Sequence, residues 1–291
     1  MLFSGGFMLI LTLFLSLTFN LARSNAYSTI ESEIFEIDYA QSLSEDHLVL
    51  LTNGLVVKLP QEDSNDLPQI HKMKNSSRLY RFSLDSNRYI KKFETVEFQD
   101  QLASSKIKLQ QPSPYIPTTI ESLSVARKYF REARYHSKES QCFNRAMVWS
   151  FEWWREHSLK SNKILIYFTR NYIRRYDFEW WFHIAPYVHV MDNDKIVERV
   201  MDRKYTNGPL DFQSWTNIFM RNNPECPVIT QFSEYADYPY SGDCFIQRTN
   251  MYTYQPADLQ MNEAWGYTKE NFDIKEVKQA YFEAFDEILS K

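Results

Sequence analysis

Several common chemistries lack their signatures in this 291-residue chain. Glycine is scarce at 6 residues, and neither Gly-x-Gly-x-x-Gly nor Gly-x-x-x-x-Gly-Lys-Ser/Thr occurs. Without such a loop there is no backbone cradle for a nucleotide phosphate, and no nucleotide cofactor is expected. No Cys-x-x-Cys pair and no His-Glu-x-x-His run is present, so no metal site is expected either. Basic residues form no stripe: net charge is −4 with both signs interspersed, which excludes nucleic acid as an expected partner. The longest apolar run, Phe7 to Phe19, falls short of the roughly 20 residues that cross a bilayer. Cysteine is limited to 3 residues, Cys142, Cys226 and Cys244. What the chain does have is aromatic mass, 16% of residues, enough for a compact core with few glycine-dependent loops.

The ends and composition divide the chain. Met1 to Ala26 reads as a signal peptide, with Ser24 and Ala26 as the small residues of a cleavage site. No Lys or Arg precedes the apolar run, so an uncleaved anchor is the alternative. The expected location is secreted or periplasmic, with no membrane attachment after signal removal, and the expected state is a monomer. Residues 27–109 read as a small β-rich region. His47 to Leu51 and Leu55 to Leu59 flank Asn53-Gly54, a hairpin signal, and Gln61 to Pro68 reads as a polar loop. Arg78 to Phe82 and Tyr89 to Phe98 alternate apolar and charged residues as strands do. Residues 110–117 include Pro112, Pro114 and Pro117 and read as an extended linker.

Residues 118–291 form the larger unit, expected to be α+β. A helix is expected from Thr118 to Tyr135, capped by Thr118 or Thr119. From Cys142, the residues Phe143, Ala146, Met147, Ser150, Phe151 and Trp154 fall on one helix face. Lys163 to Thr169, Trp180 to Val190 and Lys195 to Met201 read as strands, with Pro186 a possible break in the second. Pro209 to Phe219 reads as a helix, and Ile274 to Ile288 carries the periodicity of a closing one.

Cys226 and Cys244 lie 18 residues apart in a turn-rich stretch, and in an oxidising compartment they read as a disulfide. That leaves Cys142 unpaired. A lone cysteine on a helix is commonly a small buried hydrophobe, but this one precedes the apolar stripe. A helix N-terminus offers free N–H groups and a positive dipole end, which favour thiolate and can hold an oxyanion. His47, His71, His136 and His157 sit in polar surroundings, whereas His183 and His189 lie in an apolar strand. Asp202 closes the next strand, and Asp192 and Asp194 fit a hairpin turn. Either residue of a His183–Asp202 pair could be purely structural. Taken with Cys142, however, the chain order Cys, His, Asp on helix, strand and strand is that of papain-like and transglutaminase-like thiol enzymes.

The segments Cys142-Phe143-Asn144-Arg145-Ala146, Trp181-Phe182-His183-Ile184-Ala185-Pro186 and Met201-Asp202, followed by Pro209 and Trp215, resemble bacterial protein-glutaminases over roughly residues 120 to 220. His-x-Ala-Pro is the most specific part. One departure is Arg203, where that family usually has proline after the aspartate. The resemblance implies a papain/transglutaminase-like core, with a catalytic helix packed on an antiparallel sheet and no cofactor. It implies Cys142 as nucleophile, His183 as general acid/base and Asp202 as its orienting partner. The implied reaction is deamidation of glutamine side chains in protein or peptide substrates, through a Cys thioester. Trp180 and Trp181 could wall the acyl site or simply belong to the core. Residues 27–109 could be a cleaved inhibitory pro-region or a permanent domain. A transglutaminase or cysteine peptidase would use the same triad, and a non-catalytic secreted binding module could keep the fold.

Overall fold

A computed structural model describes residues 28–42, 44–61, 66–74, 78–96, 115–135, 140–266 and 268–289. The segment read as a signal peptide and most of that read as a linker lie outside these residues. The N-terminal part runs β1 (Ser28–Ser32), β2 (Ile34–Asp38), β3 (His47–Leu51), β4 (Val56–Leu59), α1 (Leu67–Lys74), β5 (Tyr80–Leu84) and β6 (Ile90–Thr95). Two antiparallel sheets result, in the orders β1-β5-β6 and β2-β3-β4. Helix α1 replaces the end of the expected polar loop. Pro68 stands in its first turn, where a missing N–H costs nothing, and Ile70 and Met73 are buried one turn apart.

The β2-β3-β4 sheet is covered on both faces, which is why every residue of β3 is buried. Val49, Leu51, Val57 and Leu59 pack with α1 and the other N-terminal sheet. Leu48, Leu50 and Val56 point the other way, into the core of the larger unit. A strand sealed on both sides reads as a continuous apolar run rather than an alternating one. His47, in a polar sequence setting, is also buried at 6% exposure, its Nδ1 accepting from the Ala40 N–H at 2.9 Å.

The larger unit runs β7 (Thr119–Ile120), α2 (Leu123–Glu132), α3 (Cys142–His157), β8 (Asn162–Phe168), α4 (Arg170–Tyr176), β9 (Phe182–Asp192), β10 (Lys195–Val200), α5 (Phe212–Phe219), β11 (Val228–Ile229), α6 (Phe232–Ala236), β12 (Cys244–Asn250), α7 (Pro256–Trp265) and α8 (Ile274–Phe285). Its sheet has the order β10-β9-β8-β12-β11, with β7 beside β9. The β7–β9 and β11–β12 pairs are parallel and the others antiparallel. The architecture is therefore α+β, with two antiparallel N-terminal sheets and a larger, mainly antiparallel one. Helix α3 packs between β9 and α8.

Three expectations shift. The single helix from Thr118 to Tyr135 divides: Thr119 and Ile120 pair with β9, and Ser122 rather than Thr118 or Thr119 caps α2. Pro186 does not break β9, which runs 11 residues. It stands where the β10 ladder ends, and its carbonyl accepts the Met201 N–H at 2.8 Å. Ile288 lies beyond α8 and is exposed. The expected Cys226–Cys244 disulfide is present; it ties the stretch after α5 to β12, a sheet strand that the surrounding turn residues concealed. Among the described residues, no helix is long and apolar enough to cross a membrane.

Candidate active site

Cys142 is the first residue of α3, with Gln141 as N-cap. Gln141 makes no side-chain cap, and the first intrahelical bond is the one Arg145 N–H donates to the Gln141 carbonyl. The N–H groups of Cys142, Phe143 and Asn144 precede it, so the positive end of the helix opens beside the thiol. Asn144 is fully buried and steadies this end, donating to Gln141 Oε1 at 3.2 Å and to Glu283 at 2.6 Å.

His183 is the second residue of β9, opposite Ile166 of β8. The β9–β10 hairpin turns at Asn193 and Asp194, both with positive φ, as a tight hairpin requires. Its register runs from Asp192↔Lys195 to Val200↔Tyr187. Continued two residues, that register sets Asp202 level with Ala185, diagonal to His183 and on the same face. His183 Nε2 and Asp202 Oδ2 are 2.7 Å apart, and both residues are 1% exposed. Trp215 of α5 donates its indole N–H to the same carboxylate oxygen at 3.0 Å.

With Nε2 turned to Asp202, the remaining imidazole nitrogen faces Cys142, whose thiol lies within hydrogen-bonding reach and also receives the Ile184 N–H. The electrostatics follow. Burial pushes the Cys142 thiol up, but the charge and hydrogen bond of His183, then Arg145 and Ile184 N–H, bring it below its ordinary value. Burial pulls His183 down, yet Asp202 and Cys142 raise it to about 9. Burial raises Asp202, and His183, Arg145 and Trp215 hold it below the usual carboxylate range. Each of the three groups thus stabilises the charged form of its neighbour, thiolate beside imidazolium beside carboxylate.

Cys142 and His183 border a cleft of about 260 Å³, smaller than the roughly 300–1,000 Å³ of small-molecule sites, with Asp202 behind the imidazole. Trp180 lines it and stacks on His183, ring centroids 5.8 Å apart. Trp181 does not line it. At 1% exposure it belongs to the core, its indole N–H donating to the Leu51 carbonyl at 2.8 Å. Of the two indoles, only Trp180 can wall the cleft. Arg145 and Tyr205 also line it, the guanidinium 5.7 Å from the Tyr205 ring. Sequence reasoning gave neither a role, although Arg145, three residues after Cys142, had the spacing to share its helix face.

The β3–β4 turn also enters the cleft lining, through Asn53, Gly54 and Leu55. Gly54 accepts the Trp181 N–H at 3.0 Å, Val56 donates to Glu179 at 2.8 Å, and Leu55 bridges Trp180. The N-terminal hairpin is thus paired with the strand that leads into His183. Gly54 has φ +91°, and an added Cβ would lie 3.1 Å from Phe182. Only glycine permits so close an approach.

Residues 119–219 match the model of a family described as glutaminase, a span containing Cys142, His183 and Asp202. Among solved structures, the chain is similar to pro-protein-glutaminase at 13% identity and TM-score 0.52, covering 89% of this chain and 94% of that one. A mutant of pro-protein-glutaminase matches at 12% identity and TM-score 0.52, covering 91% and 96%. At such identities the likeness is one of fold. The curated proteins contain no match. The resemblance to protein-glutaminases seen in the sequence is borne out.

Proposed function

We propose that this chain is a thiol hydrolase that deamidates glutamine side chains of proteins or peptides, using a papain/transglutaminase-like core. The observation that carries the reading is the unbroken contact chain from Cys142 through His183 to Asp202 at a cleft sized for one side chain. The Cys142 thiolate attacks the carboxamide carbon, and the N–H groups at the start of α3 stabilise the oxyanion. The His183 imidazolium gives its proton to the departing amine, releasing ammonia and leaving a thioester. His183 then takes a proton from water, the hydroxide attacks the thioester carbon, and glutamate leaves as the thiolate re-forms. Asp202, fixed by Trp215, keeps the imidazole turned toward sulfur throughout. Trp180 flanks the acyl group.

In this reading Met1 to Ala26 is a signal peptide and the protein acts as a secreted or periplasmic monomer, a placement the disulfide supports. Residues 27–109 are an inhibitory pro-region joined by the 110–117 linker, and residues 118–291 are the catalytic domain. Gly54 and Leu55 at the cleft support the inhibitory role, since a substrate side chain needs the space beside them. The test is ammonia release, with a mass gain of about 1 Da, from a glutamine-containing peptide. It should be strong for protein cut in the linker, weak for the intact chain and absent for Cys142→Ala. Crosslinked products or new peptide termini, instead of ammonia, would redirect the reading to a transglutaminase or peptidase.

A further inference from the structure

Helix α4 carries two arginines whose carboxylate partners come from the N-terminal unit. Arg170, 1% exposed, donates to Glu36 at 2.9 Å and to the Tyr235 hydroxyl at 2.6 Å, and its Nε is buried without a partner. Arg174 donates to Asp38 Oδ2 at 2.6 Å, while the Tyr240 hydroxyl donates to Oδ1. One residue before Glu36, Phe35 lies flat on Trp181, centroids 4.4 Å apart at 17°, and meets Phe232 edge to face with centroids 5.9 Å apart. A short stretch of β2, aromatic–Glu–x–Asp, therefore fills an aromatic slot and neutralises two guanidiniums.

We infer that the surface under β2 is a second anchoring site for the protein substrate, taking an extended segment with an aromatic ring, a glutamate directly after it and an aspartate two residues further on. This rests on the deamidase reading and on departure of the N-terminal unit. When β2 leaves, Arg170 keeps the Tyr235 hydroxyl but loses its carboxylate partner, which leaves a guanidinium held in place and free to take another carboxylate. Trp181 loses the ring that covers it at the same time. The uncovered surface thus selects for both features together, because a guanidinium pairs with a carboxylate in fixed geometry and the indole stacks on a flat ring. Trp181 stands two residues before His183, so a segment held there belongs to a chain already beside the cleft.

The test uses the full chain with a protease site inserted between residues 109 and 115. A fluorescent peptide with the sequence of residues 31–40 is added before and after cutting and followed by anisotropy, with a twin carrying Glu36→Gln and Asp38→Asn. The parent peptide should bind only after the cut, and the twin at least tenfold more weakly. Arg174→Gln in the protein should erase the distinction between the parent and a peptide carrying Asp38→Asn alone. Equal binding of parent and twin overturns the inference. So does an N-terminal fragment that excess peptide cannot displace, because the surface is then a permanent interface. In a turnover arm, a glutamine substrate bearing the acidic motif, spaced as Glu36 is from Gly54, should show a KM at least tenfold lower than its Gln/Asn twin at unchanged kcat. Equal KM values overturn the inference. If neither substrate releases ammonia, the deamidase reading fails and the binding arm alone decides.

Discussion

Asp202→Asn changes one atom in a buried side chain and should change the chemistry of a sulfur two residues away in the contact chain. Burial alone pulls His183 below its ordinary 6.5; Asp202 is the largest influence raising it to about 9. Without that carboxylate the largest influence raising the imidazole is gone while burial, which lowers it, remains, so its protonated share near neutral pH falls. The thiolate then loses the cation that stabilised it, while burial, which pushes the thiol up, remains. The Cys142 titration should therefore move upward. A second effect adds to the first: the Asn amide can donate to Nε2, which places the imidazole proton on the nitrogen facing sulfur in the neutral ring. A tautomer switch of this kind in a serine-protease triad costs about 10⁴ in kcat. The assay is the pH dependence of iodoacetamide alkylation, located at Cys142 by mass spectrometry. The native chain should alkylate with a midpoint well below that of a free thiol, the variant with a midpoint shifted up by more than one pH unit. Superimposable profiles would refute the reasoning, for they would mean that the carboxylate does not reach the sulfur through the imidazole.

Other outcomes follow from the same structure. Trp215→Phe keeps a ring beside Phe219 but removes a donor to a buried carboxylate, a loss of about 1.5–3 kcal/mol, seen as a Tm lower by about 4–8 °C in calorimetry. In the cut enzyme, kcat/KM should rise as Cys142 ionises, below the ordinary thiol range, and fall again near pH 9 as His183 loses its proton; a plateau persisting to pH 10.5 would contradict this. Lys163 is fully buried, its Nζ donating to the Thr253 carbonyl at 2.5 Å, and burial, then Lys269, lowers its pKa to about 7. The unfolded chain thus binds this proton more readily between pH 7 and 10.5, and Lys163→Met should gain relative stability as pH falls from 10.5 toward 7 in urea titrations. Replacing Cys226 and Cys244 by serine should cost about 3 kcal/mol by the loop-entropy estimate, and an unchanged urea midpoint would count against it.

How legible the molecule was depended on the range of the interaction concerned. The start of α3, the β8, β9 and β10 strands and the Cys226–Cys244 bridge all carry local signals: periodicity, turn residues, or two cysteines close in sequence in an oxidising compartment. The Cys-His-Asp candidates followed from those elements plus the motif His-x-Ala-Pro. Other features depended on distant packing. Trp180 and Trp181 are adjacent and chemically alike, yet one faces the cleft and the other packs under Phe35, because strand neighbours point to opposite faces. Nothing around Arg170 announces that it is buried; its partner Glu36 lies 134 residues away. The turn residues between Cys226 and Cys244 masked the start of β12, whose pairing partner β8 supplies the register. Tyr205 reaches the cleft from a loop, where no periodicity speaks.

The β9–β10 hairpin acts as a ruler. Because alternate side chains of a strand face opposite ways, a single residue inserted in β10 would turn the carboxylate to the far side of the sheet, while two would keep the side but shift it two residues along β9, from level with Ala185 to level with His183. Within this stretch, then, the number of residues is a harder constraint than their identity. Natural variants of the domain should tolerate many substitutions along β10 but almost no change in its length, and insertions should collect in the loop beyond Asp202, where nothing is being measured.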